Sequence, residues 1–219
     1  MGELILLSEH RRSPAAHGAT GPRARARARR ATFSFDLALP GTYIAAERVE
    51  RMFPVVRWQP AALEGLHAGQ LLNDRRELAR IMADAETRAA VLRMPLVWPE
   101  RYPRDVRPAM RAASLACEMG LGAPFVLAAS RLAFCGGFDL NDPEVLAEAS
   151  AAAGVPLDAC LGAAGDIARD EPMEAAARRL LAMGADQLPV LRVGRHVFCG
   201  EERLPEATAA AHALDVAAR

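Results

Sequence analysis

The sequence contains no lysine, and all 27 of its basic residues are arginine. This absence excludes every mechanism that needs a lysine amine. A nucleotide-binding P-loop of the usual kind needs a lysine that reaches the phosphates. Schiff-base enzymes, including those that hold pyridoxal phosphate, use a lysine amine as the nucleophile. Neither of these two classes fits the chain.

Aromatic residues are scarce, at 5% of the 219 residues, although 52% of the chain is hydrophobic. The core must therefore be built from alanine, leucine and valine, a composition that favours closely packed helices. No apolar run approaches the roughly 20 residues that a membrane-spanning helix requires. Residues 4–7 are too short for the apolar region of a signal peptide, and acidic residues flank them. We expect a cytoplasmic protein that does not associate with membranes.

Closely spaced cysteine pairs are also missing. The four cysteines are Cys117, Cys135, Cys160 and Cys199, and no C-x-x-C motif occurs. Zinc sites and dithiol redox sites both use such pairs, so neither is predicted. Isolated thiols stay reduced in the cytoplasm. We therefore predict reduced and mostly buried thiols, no metal ion and no thiol–disulfide oxidoreductase activity.

The N-terminal segment is basic, because its first 31 residues hold seven arginines against Glu3 and Glu9. The rest of the chain is mildly acidic. The segment has too little apolar content to offset the entropy lost on ordering. We predict a disordered, solvated arm over residues 1–31. The alternative is contact with nucleic acid or another anionic surface, which we regard as the weaker interpretation.

The next segment has the pattern of a β-α-β unit. Alternating phenylalanines predict a strand over residues 32–37. Thr42 offers an N-cap for a helix over residues 43–53. A second strand over residues 55–59 follows. Because the connection between the two strands is helical, they are predicted to be parallel.

The remainder of the chain divides into a helical block and a β-β-α unit. Residues 63–184 are almost entirely helical in pattern, with alanine-rich segments separated by glycine and proline. Strands over residues 190–193 and 196–199 flank a two-residue turn and predict a β-hairpin. A final helix is predicted over residues 204–217.

This order, β-α-β, helices, then β-β-α, is that of an α/β thioredoxin-like fold with an all-helical insertion domain. We assign residues 32–62 and 185–219 to the thioredoxin-like domain. Residues 63–184 are assigned to the helical insertion domain.

Three local sequences point to one family. The first is Phe33–Tyr43, FSFDLALPGTY, and the second is the helix start at residues 108–113. The third runs from Gln187 to Leu204 and is similar to Gly-Val-Pro-Thr-Phe and Gly-Gln-Asp-Arg-Leu blocks at the same separation. Over residues 32–217 the chain resembles the DsbA-like group, which includes 2-hydroxychromene-2-carboxylate isomerase and the kappa-class glutathione transferases.

The resemblance implies where chemistry would take place. Redox members of the family have Cys-Pro-x-Cys at the four positions that begin with Leu39 and end with Thr42. Isomerase and transferase members have a serine at the first position, which hydrogen-bonds the sulfur of glutathione. Leu39 can supply neither a redox thiol nor this hydrogen bond. Thr42 is the hydroxyl left near the helix N-terminus, where free amides stabilise a thiolate. It is therefore the candidate catalytic residue, with the alternative that it only caps the helix.

The resemblance also implies glutathione as cofactor. Pro189 is the candidate cis-proline, and a cis bond would turn the backbone of Leu188 outward to pair with glutathione or a peptide. Alternatively, Pro189 is a trans residue that opens an edge strand. The family's acceptors for the glutathione amine fall at two glutamates, which could equally be ordinary first-turn acids of the last helix. The candidate cofactor-binding residues are Leu39, Pro40, Leu188, Pro189, Glu201 and Glu202.

Two aromatic residues fall where isomerase-like members line a pocket for a flat aromatic acid. Trp98 and Tyr102 could line such a pocket, or they could belong to the core. Two functions stay open. One is glutathione-dependent isomerisation of an unsaturated aromatic acid, which the family favours; the other is a non-catalytic thioredoxin-fold binding module, which Leu39 favours. Dimers are common in the resembling families, so a homodimer is an open possibility.

The missing cysteine pair leads to a direct test. In an insulin reduction assay with a thiol reductant, we expect the protein to give no turnover above the rate without protein. Cys199 is predicted at the end of a hairpin, where nothing depresses its thiol pKa. Turnover that disappears in the Cys199→Ala variant would contradict this prediction.

Overall fold

A four-stranded mixed sheet organises the computed structural model, which describes residues 30–62, 74–102 and 105–217. The strand order is β2-β1-β3-β4. β1 is parallel to β2 and antiparallel to β3, and β4 is antiparallel to β3. The strands are β1 (Arg30–Phe35), β2 (Val55–Pro60), β3 (Val190–Val193) and β4 (His196–Cys199).

Eight α-helices surround this sheet in the described part of the chain. One helix connects β1 to β2, six lie between β2 and β3, and one follows β4. Their bounds are α1 (Pro40–Met52), α2 (Arg75–Leu92), α3 (Arg107–Glu118), α4 (Gly122–Phe134), α5 (Pro143–Ala153), α6 (Leu157–Gly165), α7 (Asp170–Ala182) and α8 (Leu204–Ala217). None of these helices is long and apolar enough to cross a membrane.

The architecture confirms the predicted thioredoxin-like α/β fold with inserted helices. The hairpin strands and α8 have the predicted bounds. β1 begins at Arg30, two residues before the predicted strand, so the predicted arm was drawn too long at its C-terminal end. Residues 1–29 lie outside the described residues, and the predicted disorder of the arm stays a prediction.

The start of α1 differs from the prediction. The helix begins at Pro40, because proline at the first helical position has the required φ and needs no hydrogen-bond acceptor. Leu39 is the N-cap residue and makes no side-chain capping bond. Thr42 therefore lies inside the first turn, and the prediction that it caps the helix is wrong. Its hydroxyl donates a hydrogen bond to the carbonyl oxygen of Asp36, 2.6 Å away.

The core consists of two apolar clusters. The larger cluster packs the aromatic residues of the sheet against the alanine-rich helices of the insertion. In it, the rings of Phe33 and Trp58 meet edge to face, with centroids 4.9 Å apart. The smaller cluster lies between α7 and the start of β3 and includes Leu39, Leu180 and Leu188. The few aromatic residues are divided between the strands, as at Phe33 and Trp58, and the helices, as at Tyr43, Phe125 and Phe134, and alanine fills much of the remaining core.

Two phenylalanines provide a matched test of this core. Phe125 in α4 is fully buried, whereas Phe138 is 52% exposed. Phe125→Ala is expected to lower the free energy of unfolding by about 3–5 kcal/mol, because it leaves a cavity. Phe138→Ala should cost less than about 1 kcal/mol. Urea denaturation measures both values, and equal losses for the two variants would contradict the assignment of the core.

Candidate functional site

A pocket of about 410 Å³ opens where the N-terminal end of α1 meets the loop before β3. Leu39, Pro40 and Gly41 line one side, and Leu188 and Pro189 line another. The peptide bond between Leu188 and Pro189 is cis, which confirms that prediction. A Cβ atom on Gly41 would lie 3.2 Å from Pro189 Cδ, so glycine allows the two segments to approach closely.

One helix of the insertion, α2, forms the opposite wall of the pocket. Ile81 and Ala85 supply an apolar strip. Beside them, Arg80 forms ion pairs with Glu77 and with Asp84, the latter at 2.9 Å. Because these three charged residues are about one helical turn apart, they pair along the pocket rim, where two carboxylates and one guanidinium leave a net charge of −1. The wall therefore presents an apolar centre beside an edge of paired charges.

Leu39, which the sequence resemblance aligns with the family's reactive or sulfur-binding position, is the N-cap residue of α1. Its side chain is only 8% exposed. It belongs to the smaller apolar cluster, together with Ala177 of α7 and Leu188. Thus Leu39 closes the floor of the pocket but leaves the space above it open. The floor carries no nucleophile and no hydroxyl at this position.

Thr42 does not compensate for Leu39. It is completely buried and is not among the residues that line the pocket. Its hydroxyl is engaged with the Asp36 carbonyl, which turns the oxygen into the protein and away from the pocket. The prediction of a catalytic Thr42 is therefore corrected: this side chain ties α1 to the end of β1 and does not reach a ligand.

The backbone at the start of α1 retains some polar capacity. Pro40 has no N–H, and the N–H of Thr42 donates to the Leu39 carbonyl at 3.0 Å. The N–H of Gly41, at the second helical position, has no acceptor within the helix. Together with the helix dipole, this amide favours a negatively charged or partly negative group at this end of the pocket.

The two predicted amine acceptors have different environments. Glu201 and Glu202 both line the pocket. Glu201 is only 5% exposed, and its carboxylate accepts hydrogen bonds from Arg48 and Arg88. The bond to Glu201 raises the pKa of the Arg88 guanidinium. Glu202 is exposed, so it is the more accessible of the two carboxylates for a ligand amine.

The predicted aromatic pocket is not part of this cavity. Trp98 and Tyr102 contact each other with ring centroids 4.8 Å apart, and both pack edge-on against Phe134. The indole N–H of Trp98 donates to Glu86 at 2.8 Å. Neither aromatic residue lines the pocket beside Pro189, because they face the core of the insertion. In this structure the pair packs against Phe134, and Tyr102 lines a separate small cavity, so their role as substrate contacts stays a prediction.

The cysteines are placed as isolated thiols. Cys160 is buried and the other three are half-buried. Burial raises the pKa of Cys199, and it raises the pKa of Cys117 to about 12. Cys135 donates a hydrogen bond to the hydroxyl of Tyr43 at 3.1 Å. In the described residues, no group of three or more His, Cys, Asp or Glu side chains is arranged to hold a metal ion.

The α2 wall is the part of the site that sequence analysis missed. Arg80, Ile81 and Arg88 each lie three or four residues from Asp84, which places all four on one face of a helix. That spacing was available in the sequence. What it does not reveal is that this face lies opposite Leu188 and Pro189, because nothing local specifies how α2 packs.

Comparison with known proteins supports the fold strongly and the sequence relationship weakly. No protein-family model matches the chain, and no curated protein gives a significant match. Among solved structures, 2-hydroxychromene-2-carboxylate isomerase aligns with a TM-score of 0.72 at 18% identity, covering 84% of this chain and 95% of that chain.

Two thiol-redox proteins align almost as well. A probable DsbA oxidoreductase from Streptomyces coelicolor gives a TM-score of 0.66 at 21% identity, covering 84% of this chain and 89% of that one. A cytosolic disulfide reductase, DsbM, from Pseudomonas aeruginosa gives 0.60 at 21% identity, covering 86% and 98%. The chain therefore has the DsbA-like thioredoxin fold with a helical insertion, which proteins named as isomerases and as oxidoreductases share.

The role assigned to Thr42 can be tested by two substitutions. Thr42→Val removes the hydrogen bond to Asp36 and should lower the free energy of unfolding by about 1 kcal/mol. Thr42→Ser retains the hydroxyl and should keep the part of the stability that depends on this bond. Thermal and urea unfolding measure both effects. A Thr42→Val protein that keeps full stability but loses binding to the pocket would restore Thr42 as a ligand contact.

Proposed function

We propose that the protein is a non-catalytic binding module of the DsbA-like thioredoxin fold, which uses the pocket beside Pro189 without thiol chemistry. The observation that carries this proposal is Leu39, 8% exposed beneath an open pocket of about 410 Å³. A reactive group has been replaced by an apolar floor, while the pocket itself is kept.

The lining residues indicate what such a ligand would offer. An apolar body would contact Leu39, Ile44 and Ile81. A negatively charged end would lie near the N–H of Gly41, and an amine would lie toward the exposed Glu202. A short peptide or a similar zwitterion meets these requirements.

Glutathione is the cofactor that the fold family implies, and the residues fit only part of it. The backbone of Leu188 and the side chain of Glu202 remain in place to receive a peptide. The residues around the sulfur position do not fit: Leu39 offers no hydrogen bond and the Thr42 hydroxyl is turned inward. We therefore derive no catalytic step through a glutathione thiol.

Glutathione-dependent isomerisation of an unsaturated aromatic acid is the second candidate function. It is supported by the likeness of the chain to a solved isomerase structure over 84% of its length. In this case the backbone amides at the start of α1 would have to stabilise the glutathione thiolate with no help from a hydroxyl side chain. Steady-state assays with reduced glutathione and 2-hydroxychromene-2-carboxylate decide between the two candidates: the binding-module proposal expects no rate above the reaction without protein.

Restoring a hydroxyl at position 39 tests the proposal on the pocket itself. Leu39→Ser should raise the affinity for reduced glutathione by about tenfold, since one hydrogen bond to the sulfur is worth about 1–2 kcal/mol. Leu39→Ala is the matched control, because it opens the same space without a hydroxyl. Isothermal titration measures both, and an equal affinity for the two variants would show that more than Leu39 separates this site from a glutathione site.

A further inference from the structure

The α2 wall of the pocket is thinly packed. Of its 18 residues, only Ala85 and Ala89 are buried. Neither alanine belongs to the two apolar clusters, and near its end Leu92 packs against the larger one. Two buried alanines contribute little apolar area, and the larger apolar residues Leu78, Ile81 and Met82 are only half-buried, so packing alone holds the middle of this helix less firmly than the core helices.

An ion-pair bridge holds α2 at the level of the pocket. The Glu201 carboxylate accepts from Arg48 of α1 at 2.7 Å and from both Nε and Nη2 of Arg88 of α2. The Glu201 side chain is 6% exposed, against 18% for Arg48 and 35% for Arg88. Because the carboxylate is buried and both of its oxygens are used, this bridge is stronger than an ordinary surface ion pair.

The bridge connects the two parts of the protein across the pocket. Glu201 and Arg48 belong to the thioredoxin-like part, and Arg88 belongs to the inserted helices. We propose that Glu201 is a positioning residue whose bridge to Arg88 latches α2 in place as one wall of the open pocket, and that loss of this bridge lets α2 move away and widens the pocket. This inference rests on the proposed function of the pocket, but the latch itself can be tested without a ligand.

The proposal reassigns the two adjacent glutamates. Glu201 acts through α2 and does not contact the ligand, whereas the exposed Glu202 is the carboxylate that a ligand amine can reach. The pair therefore offers an internal control. Two neighbouring substitutions of the same chemistry, Glu201→Gln and Glu202→Gln, should have different effects on α2.

Hydrogen exchange measured by mass spectrometry tests the latch in the full-length protein without ligand. In Glu201→Gln, amides of residues 75–92 should exchange at least about tenfold faster than in the wild type, because local opening becomes easier. Amides of α4 in the core should change much less. Glu202→Gln should speed exchange in α2 much less than Glu201→Gln, because the charge attraction of Glu202 for Arg88 is weaker than that of Glu201. An unchanged α2, or an equal increase in α2 and α4, would overturn the proposal.

A second variant protects the test against a general folding defect. Arg88→Gln removes the other partner of the bridge, which is the more exposed of the two. It should produce the same selective increase in the amide exchange rate of α2. Combining it with Glu201→Gln should add little, since both remove one interaction. Additive effects would contradict the latch. Wild-type titrations with glutathione report on the proposed function separately, so failure of one account can be told from failure of the other.

Discussion

The packing of Leu39 is the interaction on which the site depends. This side chain lies in an apolar cluster with Ala177 and Leu180 of α7 and with Leu188 and Val190 near the start of β3. It therefore joins the inserted helices to the sheet at the point where the pocket opens. In this chain, the N-cap position of α1 performs a packing task. A polar residue there would gain a ligand contact at the expense of this junction.

The exclusive use of arginine agrees with how the helices are joined. Arg111 of α3 holds Asp170 of α7 through two bonds of 2.7 and 2.6 Å, which lowers the pKa of that carboxyl group. Arg131 of α4 likewise donates two hydrogen bonds to the carboxylate of Glu47 of α1. Bidentate pairing of this kind needs a planar guanidinium, which a lysine amine cannot replace. The alanine-rich helices pack closely but bury little area. These bidentate ion pairs fix how the helices are oriented relative to one another.

Much of the fold could be predicted from the sequence, and less of the site. The β-α-β and β-β-α patterns are local, and the helical block between them needed only composition and periodicity, so the architecture followed from the sequence pattern. The cis bond at Pro189 was instead implied by the resemblance to a family. The predicted start of α1, at residue 43, was wrong because Thr42 is a common N-cap residue. Proline at the first helical position places the actual start at Pro40, about one turn earlier. Trp98 and Tyr102 were assigned to a pocket because their positions matched those of a family. Their actual partners, Glu86 and Phe134, are set by tertiary packing that local sequence does not encode.

The central claim is that the pocket binds its ligand without using a thiol. Nuclear magnetic resonance titration of the wild-type protein with reduced glutathione and with S-methylglutathione tests it most directly, because the two probes differ only at the sulfur. The account predicts that the methylated probe affects the amides of Gly41, Ile44 and Leu188 to the same extent, and at the same concentrations, as glutathione does. Selective shifts at these amides with glutathione, at concentrations about tenfold below those needed for S-methylglutathione, would contradict it.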